Sequence, residues 1–383
     1  MRSLYLHIPF CTTRCAYCTF YSEVYRTHSQ FIEPYYQRLL AEVDGLVSKS
    51  DEPFDTVYLG GGNPGLLGFE RLKTLLQRIQ IHGRSREVTM EINPETLNES
   101  FFSLFEEGLL TRLSIGIQSM DDRFLQRIGR NTTKAMNERA LLLAEKIRSM
   151  FGVEVTFDLI VAIPGQTVED VVKDINSVLS LCKANHVSLY CLTVEEGSRL
   201  FEEGGVFMSE DDQAKLLYGV WEYLASLGFE HYEVSNFAKD QHYSQHNLVY
   251  WRLGEYIGLG SSAASTLFEG GTLVHYTQEQ SAEEYGFGRV GSGYEKEVLT
   301  IAERIEEEIM VGLRTAWGID KQIFLERTGY DFTPLFSTII AKFDSLWYTD
   351  SSQFFILTEI GFMVLDTILL RFFERIAQAL DRP

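Results

Sequence analysis

The run Leu4-Tyr5-Leu6-His7-Ile8-Pro9-Phe10-Cys11-Thr12-Thr13-Arg14-Cys15-Ala16-Tyr17-Cys18-Thr19-Phe20 decides how this chain is read. Three of its five cysteines fall here, spaced C-x3-C-x2-C. Thiolates are soft ligands that select iron–sulfur clusters, zinc or copper(I). Three of them stop one short of a closed four-cysteine set, so an iron held here would stay open to a small molecule. Leu4 to Ile8 is mostly apolar and reads as a strand, and Pro9 ends its ladder pairing. The metal site then lies in the loop that leaves the C-terminal end of a first strand. The bland alternatives are a zinc site or three core cysteines without chemistry.

At 383 residues the chain can form one large domain and a smaller one. It is 45% hydrophobic with ordinary charge content, which suits a soluble globule. A net charge of −20 works against non-specific nucleic-acid binding, which needs basic surface to displace counterions. No stretch approaches the ~20 apolar residues of a membrane span, and the N-terminus does not read as a signal peptide. Five cysteines, three in one loop, fit a reducing cytoplasm better than a disulfide framework.

Working outward from the cysteines, helical periodicity covers Ile32 to Val47, with Pro34 suited to a first turn. Thr56 to Leu59 is a short strand that runs into Gly60-Gly61-Gly62-Asn63-Pro64, where glycines would let backbone approach a ligand. Phe69 to Ile81 reads as helix. Val88 to Asn93 alternates as a half-buried strand, with Glu91 either buried in a barrel or a surface charge on an edge. Further strands are expected at Arg112 to Gln118, Val153 to Ile160 and His186 to Leu192. Helices are expected at Phe101 to Gly108, Asp121 to Ile128, Thr133 to Ser149, Val168 to Lys183 and Asp211 to Leu227. Six strands alternating with helices predict a parallel sheet. Glu91, Gln118, Asp158 and Tyr190 recur near strand C-termini, the active face of an α/β barrel. Periodicity alone leaves an open doubly wound sheet and a barrel both standing. Gly286 to Gly293 reads as a linker. Beyond it come helices at Glu297 to Ala316, Lys321 to Thr328, Pro334 to Asp344 and Thr358 to Leu380, with a strand at Gln353 to Leu357.

The C-x3-C-x2-C spacing, with Tyr17 before the last cysteine, resembles the signature of the radical S-adenosylmethionine (SAM) superfamily. Tyr5-x-His7-Ile8-Pro9-Phe10-Cys11 narrows the resemblance to the oxygen-independent coproporphyrinogen III oxidase family, which includes a HemW-like haem-chaperone branch. The resemblance implies a partial (β/α)6 TIM-like barrel over residues 1–285, with a family-specific extension, and a smaller, mainly helical C-terminal domain over 294–383. It implies a [4Fe-4S] cluster on Cys11, Cys15 and Cys18 with SAM chelating the fourth iron. By motif position it places Tyr5, Tyr17, Gly61, Gly62, Asn63, Glu91, Gln118, Arg130, Asp158, Cys191 and Ala264 around SAM. Arg130 would neutralise the SAM carboxylate; Glu91 and Asp158 would take its ribose hydroxyls or ammonium. Asn63 stands where the family usually has threonine, and Asn131 where relatives often have histidine after the arginine.

Two features separate the branches. The oxidases of the family place a fourth cysteine two residues after the third, and this chain has Phe20 there. His246-Asn247-Leu248-Val249-Tyr250-Trp251 resembles the H-N-x-x-Y-W motif of the chaperone branch, and the glycine-rich stretch Ile257 to Ser265 matches the family as one strand. The branch implies haem as a third cofactor, with His246 as a candidate iron ligand; the bland reading of His246 is a hydrogen-bonded turn residue. It implies haem or porphyrin, an unidentified haem-acceptor protein and an electron donor as partners, leaves a peripheral membrane contact open, and puts the protein in the cytoplasm. The alternative is an oxidase that decarboxylates propionates of coproporphyrinogen III. Radical modification of a nucleic acid is a third class, which the acidic balance disfavours.

Overall fold

The computed structural model describes residues 2–204 and 208–380. Its main sheet has twelve strands: β1 (Ser3–Ile8), β2 (Thr56–Gly61), β3 (Glu87–Ile92), β4 (Arg112–Gln118), β5 (Glu154–Val161), β6 (His186–Cys191), β7 (Glu230–Glu233), β8 (Asn236–Ala238), β9 (Tyr256–Leu259), β10 (Ala264–Glu269), β11 (Thr272–Gln278) and β12 (Tyr294–Val298). Their order across the sheet is β12-β11-β10-β9-β1-β2-β3-β4-β5-β6-β8-β7. β1 to β6 run parallel in sequence order, each joined to the next through helix, which is the six-unit partial barrel. The two outer strands, β12 and β7, do not pair with each other, so the barrel stays open.

The outward-facing apolar residues of these strands, turned toward the helices, explain why they form. Leu4, Leu6 and Ile8, then Val57 and Leu59, Val88 and Met90, Leu113, Ile115 and Ile117 are all fully buried. The helices Ile32–Val47, Phe69–Ile79, Lys134–Phe151 and Val168–Leu181 cover that outer face with Leu39, Val43, Leu72, Leu76, Leu141, Ile147, Ile175 and Val178. The polar alternates, Glu91 and Asp158 among them, face the barrel interior.

Several expectations are corrected. Ile257 to Ser265 is not one strand: β9 adds to β1 as a seventh parallel strand, and the chain then reverses into β10. The break falls at Gly260, φ 103°, where a Cβ would strike the His7 carbonyl and the Tyr35 hydroxyl at 2.5 Å. Gly286 to Gly293 is not an open linker. Its start lies in the helix Ala282–Phe287, and Arg38, buried in the helix Ile32–Val47, donates to the carbonyls of Tyr285 and Ser292 at 2.9 and 2.7 Å. Glu297 belongs to β12, and the acidic helix starts only at Ile301, behind a Thr300 cap whose hydroxyl accepts from the Glu303 amide while Glu303 reaches back. β12 escaped the periodicity because Tyr294-Glu295-Lys296-Glu297-Val298 has no apolar face to bury. The last helix is two, Glu359–Met363 and Leu365–Ala379, broken at Val364.

The C-terminal region packs the helices Ile301–Gly312, Lys321–Thr328, Phe332–Ile340 and Leu365–Ala379 on a small antiparallel sheet of Ile319–Asp320, Phe354–Leu357 and Tyr348–Asp350. Phe324, Phe332, Phe336, Phe355 and Phe372 interlock as its core, with ring centroids 4.8–6.1 Å apart.

Candidate functional site

The cysteine loop leaves β1 at Pro9 and is stitched at both ends. Phe10–Cys11 pairs in parallel with Glu23–Val24, and the Glu23 amide donates to the Pro9 carbonyl at 2.7 Å. Its middle is fixed by backbone. The Ala16 amide donates to the Ile128 carbonyl at 2.9 Å, and the Ala16 carbonyl accepts from the Leu200 amide at 2.8 Å. A small apolar cluster of Ala16, Phe124, Ile128, Ile160, Ile163, Leu192 and Leu200 sits beneath the loop.

The loop roofs a cavity of about 420 Å³ at the C-terminal ends of the strands. Cys11, Cys15, Cys18, Tyr17, Gly61, Gly62, Glu91, Gln118, Arg130, Asp158 and Cys191 all line it. Four expected residues do not. Tyr5 lies behind the wall, its hydroxyl 2.9 Å from His7 Nδ1. Asn63 is fully buried under the loop, accepting from Thr96 Oγ1 at 3.1 Å. Ala264 starts β10, opposite Thr277. His246 is 0% exposed, in the helix Gln245–Trp251. Its Nδ1 meets Thr56 Oγ1 at 2.8 Å and its Nε2 meets the Tyr250 hydroxyl at 2.7 Å. Thr56 donates to Ser3 Oγ at 2.8 Å, which leaves it the acceptor of Nδ1–H and makes Nε2 the acceptor of Tyr250. Both ring nitrogens are thus engaged inside the fold, away from the cavity, and burial pushes the imidazole pKa down to about 3.

Tyr190 lines the wall as the strand pattern led one to expect, but Asn93, Gly116 and Glu195 were not singled out for it. Period-two alternation was the available signal, since Asn93 follows Glu91 and Gly116 precedes Gln118 on the same faces. Asn93 Oδ1 accepts from Arg130 Nη2 at 2.6 Å, and the Gly116 carbonyl accepts from it at 2.8 Å. Those bonds aim the guanidinium at the cysteines, with Nη1 3.4 Å from Cys15 Sγ. Gln118 sits at φ 66°, beside an irregularity in the β4–β5 register. That strained backbone lies on the cavity wall, where function commonly holds it.

Two carboxylates on strands face the cavity, with Glu195 a third, exposed one. Burial pushes Glu91 up to about 7, against hydrogen bonds from the Tyr58 hydroxyl at 2.6 Å and the Gly61 amide at 3.2 Å. Burial also pushes Asp158 up to about 6, while Ser114 Oγ lies 3.2 Å from both its oxygens. Both are poised to ionise against a cationic or hydroxyl-rich ligand. Burial, and then the neighbouring thiols, push Cys11 up to about 12 in the ligand-free loop, so loading a metal must displace protons.

The donor set suits a cluster. A cluster takes each of three thiolates on a different iron, and Cys11, Cys15 and Cys18 all line the one cavity. Gly62 leaves the space: a Cβ there would meet the Phe10 carbonyl at 2.7 Å and Cys11 Sγ at 3.0 Å. Arg130 Nε is buried with no hydrogen-bond partner among the described residues. Cys11, Cys15 and Cys18 would hold the cluster, and Glu91, Asp158, Gln118, Arg130 and the Gly61–Gly62 backbone would hold SAM.

Comparisons with known proteins agree. The model of the radical SAM superfamily matches residues 5–178, and that of the HemN C-terminal domain matches residues 299–364. A protein of Bacillus subtilis named heme chaperone HemW is 31% identical over 356 residues, covering 89% of this chain and 90% of its own. Its namesake in Lactococcus lactis is 32% identical, covering 97% of both chains. The solved structure of the coproporphyrinogen III oxidase HemN from Escherichia coli superposes with a TM-score of 0.76 over 97% of this chain and 89% of that one, at 17% identity, a likeness of fold alone. Cysteine loop, six-unit barrel, cavity and C-terminal region thus lead to one assignment: the chain belongs to the radical SAM superfamily, within the HemW family.

Proposed function

We propose that this chain binds haem and passes it to an acceptor protein, as a chaperone that carries a [4Fe-4S] cluster and SAM. Phe20 carries the reading. It lies on the rim of the cysteine cavity, 71% exposed, at the position where resemblance to the oxidases calls for a fourth thiol. A phenyl ring offers a planar porphyrin an apolar face and offers a metal no ligand. The printed names of the relatives, which speak of heme and of a chaperone, support the same reading. The cofactors supply one-electron chemistry when bound; the chain's part is to orient them, exclude water and set the local charge through Arg130, Glu91 and Asp158.

The reading calls for an electron donor and a haem acceptor, in the cytoplasm. No helix among the described residues is long and apolar enough to cross a membrane. A net charge of −20 works against a peripheral contact with anionic lipid. Cluster-loaded protein titrated with haem should give a saturable absorbance shift that Phe20→Asp weakens. Anaerobic turnover of coproporphyrinogen III to a vinyl product would reverse the assignment in favour of the oxidase.

A further inference from the structure

The His246-Asn247-Leu248-Val249-Tyr250-Trp251 segment has no part in the cavity, yet it is tied to it. The Glu87 carboxylate accepts from the His246 amide at 2.9 Å and the Gln245 amide at 3.1 Å, which fixes this helix against the N-terminal end of β3. Arg112 holds the approach, donating to the carbonyls of His242 and Tyr243 at 3.0 Å and to Glu87 at 2.9 Å. The helix thereby closes the barrel floor. Its imidazole, locked between Thr56 and Tyr250, lies against the Tyr58 ring with centroids 5.2 Å apart and planes 31° apart. Tyr5 stacks on the same ring at 6.2 Å. The phenol so held ends 2.6 Å from Glu91, on the cavity wall. Gly60 keeps the space: a Cβ there would sit 2.9 Å from Tyr58 Cε1 and 3.2 Å from a Glu91 oxygen.

We infer that His246 and Tyr58 are positioning residues for the SAM pocket: the floor helix braces the Tyr58 phenol, and the phenol sets the place and charge of the Glu91 carboxylate. The inference rests on the cavity holding SAM and is independent of haem transfer. An anionic Glu91 is the form that attracts the cationic ammonium of SAM, and a donated hydrogen bond favours that form. The other groups facing Glu91 are Asp158, Tyr5, Tyr190 and the Gly61 amide, and Arg130 shares the cavity. Tyr250 faces Glu91 as well, and of all these groups only the Tyr58 hydroxyl and the Gly61 amide donate a hydrogen bond to it among the described residues.

The test is equilibrium SAM binding by the cluster-loaded full chain as a function of pH, with iron content measured on each variant. Tyr58→Phe keeps the ring and loses the donor; it should weaken SAM about tenfold or more at neutral pH, the worth of one charge-assisted hydrogen bond, and move the midpoint of the pH profile upward. His246→Asn should move the midpoint in the same direction by less, with haem titration unchanged. A merely structural role would lower iron content or stability without moving the midpoint. Tyr58→Phe with full iron, unchanged affinity and unchanged midpoint would overturn the inference. So would His246→Asn that loses haem but keeps SAM, which would make the imidazole a haem ligand after all. Wild-type protein that holds its cluster but binds no SAM would overturn the pocket assignment itself, and the brace with it.

Discussion

Gly62→Ala tests the fit of the cysteine loop with one methyl group. Gly62 has no positive φ that alanine would resist, so space is the whole effect. The new Cβ would meet the Phe10 carbonyl oxygen at 2.7 Å, the Pro9 carbonyl carbon at 2.9 Å and Cys11 Sγ at 3.0 Å, where ordinary contact begins at 3.4 Å. Two of those atoms are backbone, so the loop must retreat by about 0.7 Å, the difference between 3.4 and 2.7 Å. The retreat also pulls on the Gly62 amide, which donates to the Ile8 carbonyl at 2.8 Å, and on the Asn63 amide, which donates to Phe10 at 2.8 Å. Overpacking of this kind costs about 1–3 kcal/mol. If the cost is relieved by moving Cys11, it falls on cluster binding as roughly a 5- to 150-fold loss in affinity. The assay is iron per chain and absorbance near 400 nm after anaerobic reconstitution, with a thermal melt on the same samples. Gly45→Ala is the paired control: nothing lies within 4 Å of its Cβ, and it sits inside the helix Ile32–Val47. That change should stabilise by up to about 1 kcal/mol through helix propensity and leave iron content alone. A Gly62→Ala protein that loads as much iron as wild type and melts with it would refute the packing argument.

The raised Glu91 makes a pH prediction for the ligand-free protein. Its folded pKa of about 7 exceeds the ordinary 4.5, so the folded state holds the proton more tightly. Its contribution to stability is full below about pH 4.5 and is lost as pH rises toward 7, by up to about 3 kcal/mol. Wild type minus Glu91→Gln, followed by urea unfolding across that window, should show this slope; a flat difference would count against the burial of Glu91. Arg112→Met strands Glu87, whose side chain is 6% exposed, and should cost about 3–5 kcal/mol in the same assay. Thr300→Ala removes the cap of the helix Ile301–Gly312 and should cost about 1 kcal/mol with SAM binding unchanged.

The alternating strands and helices were legible in the sequence from their apolar faces, while the barrel itself came from the family resemblance. Arg112–Gln118 and the helix Ile32–Val47 fall where periodicity puts them, since their apolar positions meet in the layer between sheet and helices. The edge strands were not legible. β12 is nearly all charge, and β9 was merged with β10 because the reversal at Gly260 comes from a close approach to His7 and Tyr35, residues far away in sequence. In the site, the thiols and the wall residues on β3 to β6 were legible from spacing and alternation. His246 was not, because its partners Thr56, Ser3 and Glu87 come from other strands and only the folded chain shows both ring nitrogens engaged. Tyr58 was missed for a related reason: read only as part of a short strand, it gave no sign that its hydroxyl reaches Glu91 on the adjacent strand.

Electron paramagnetic resonance of the reduced, oxygen-free protein before and after addition of SAM bears most directly on the account, because a vacant iron corner must feel its ligand. The account predicts a cubane signal that depends on all of Cys11, Cys15 and Cys18 and changes shape when SAM is added. A signal indifferent to SAM, or preparations that carry zinc in that loop and still transfer haem, would contradict it.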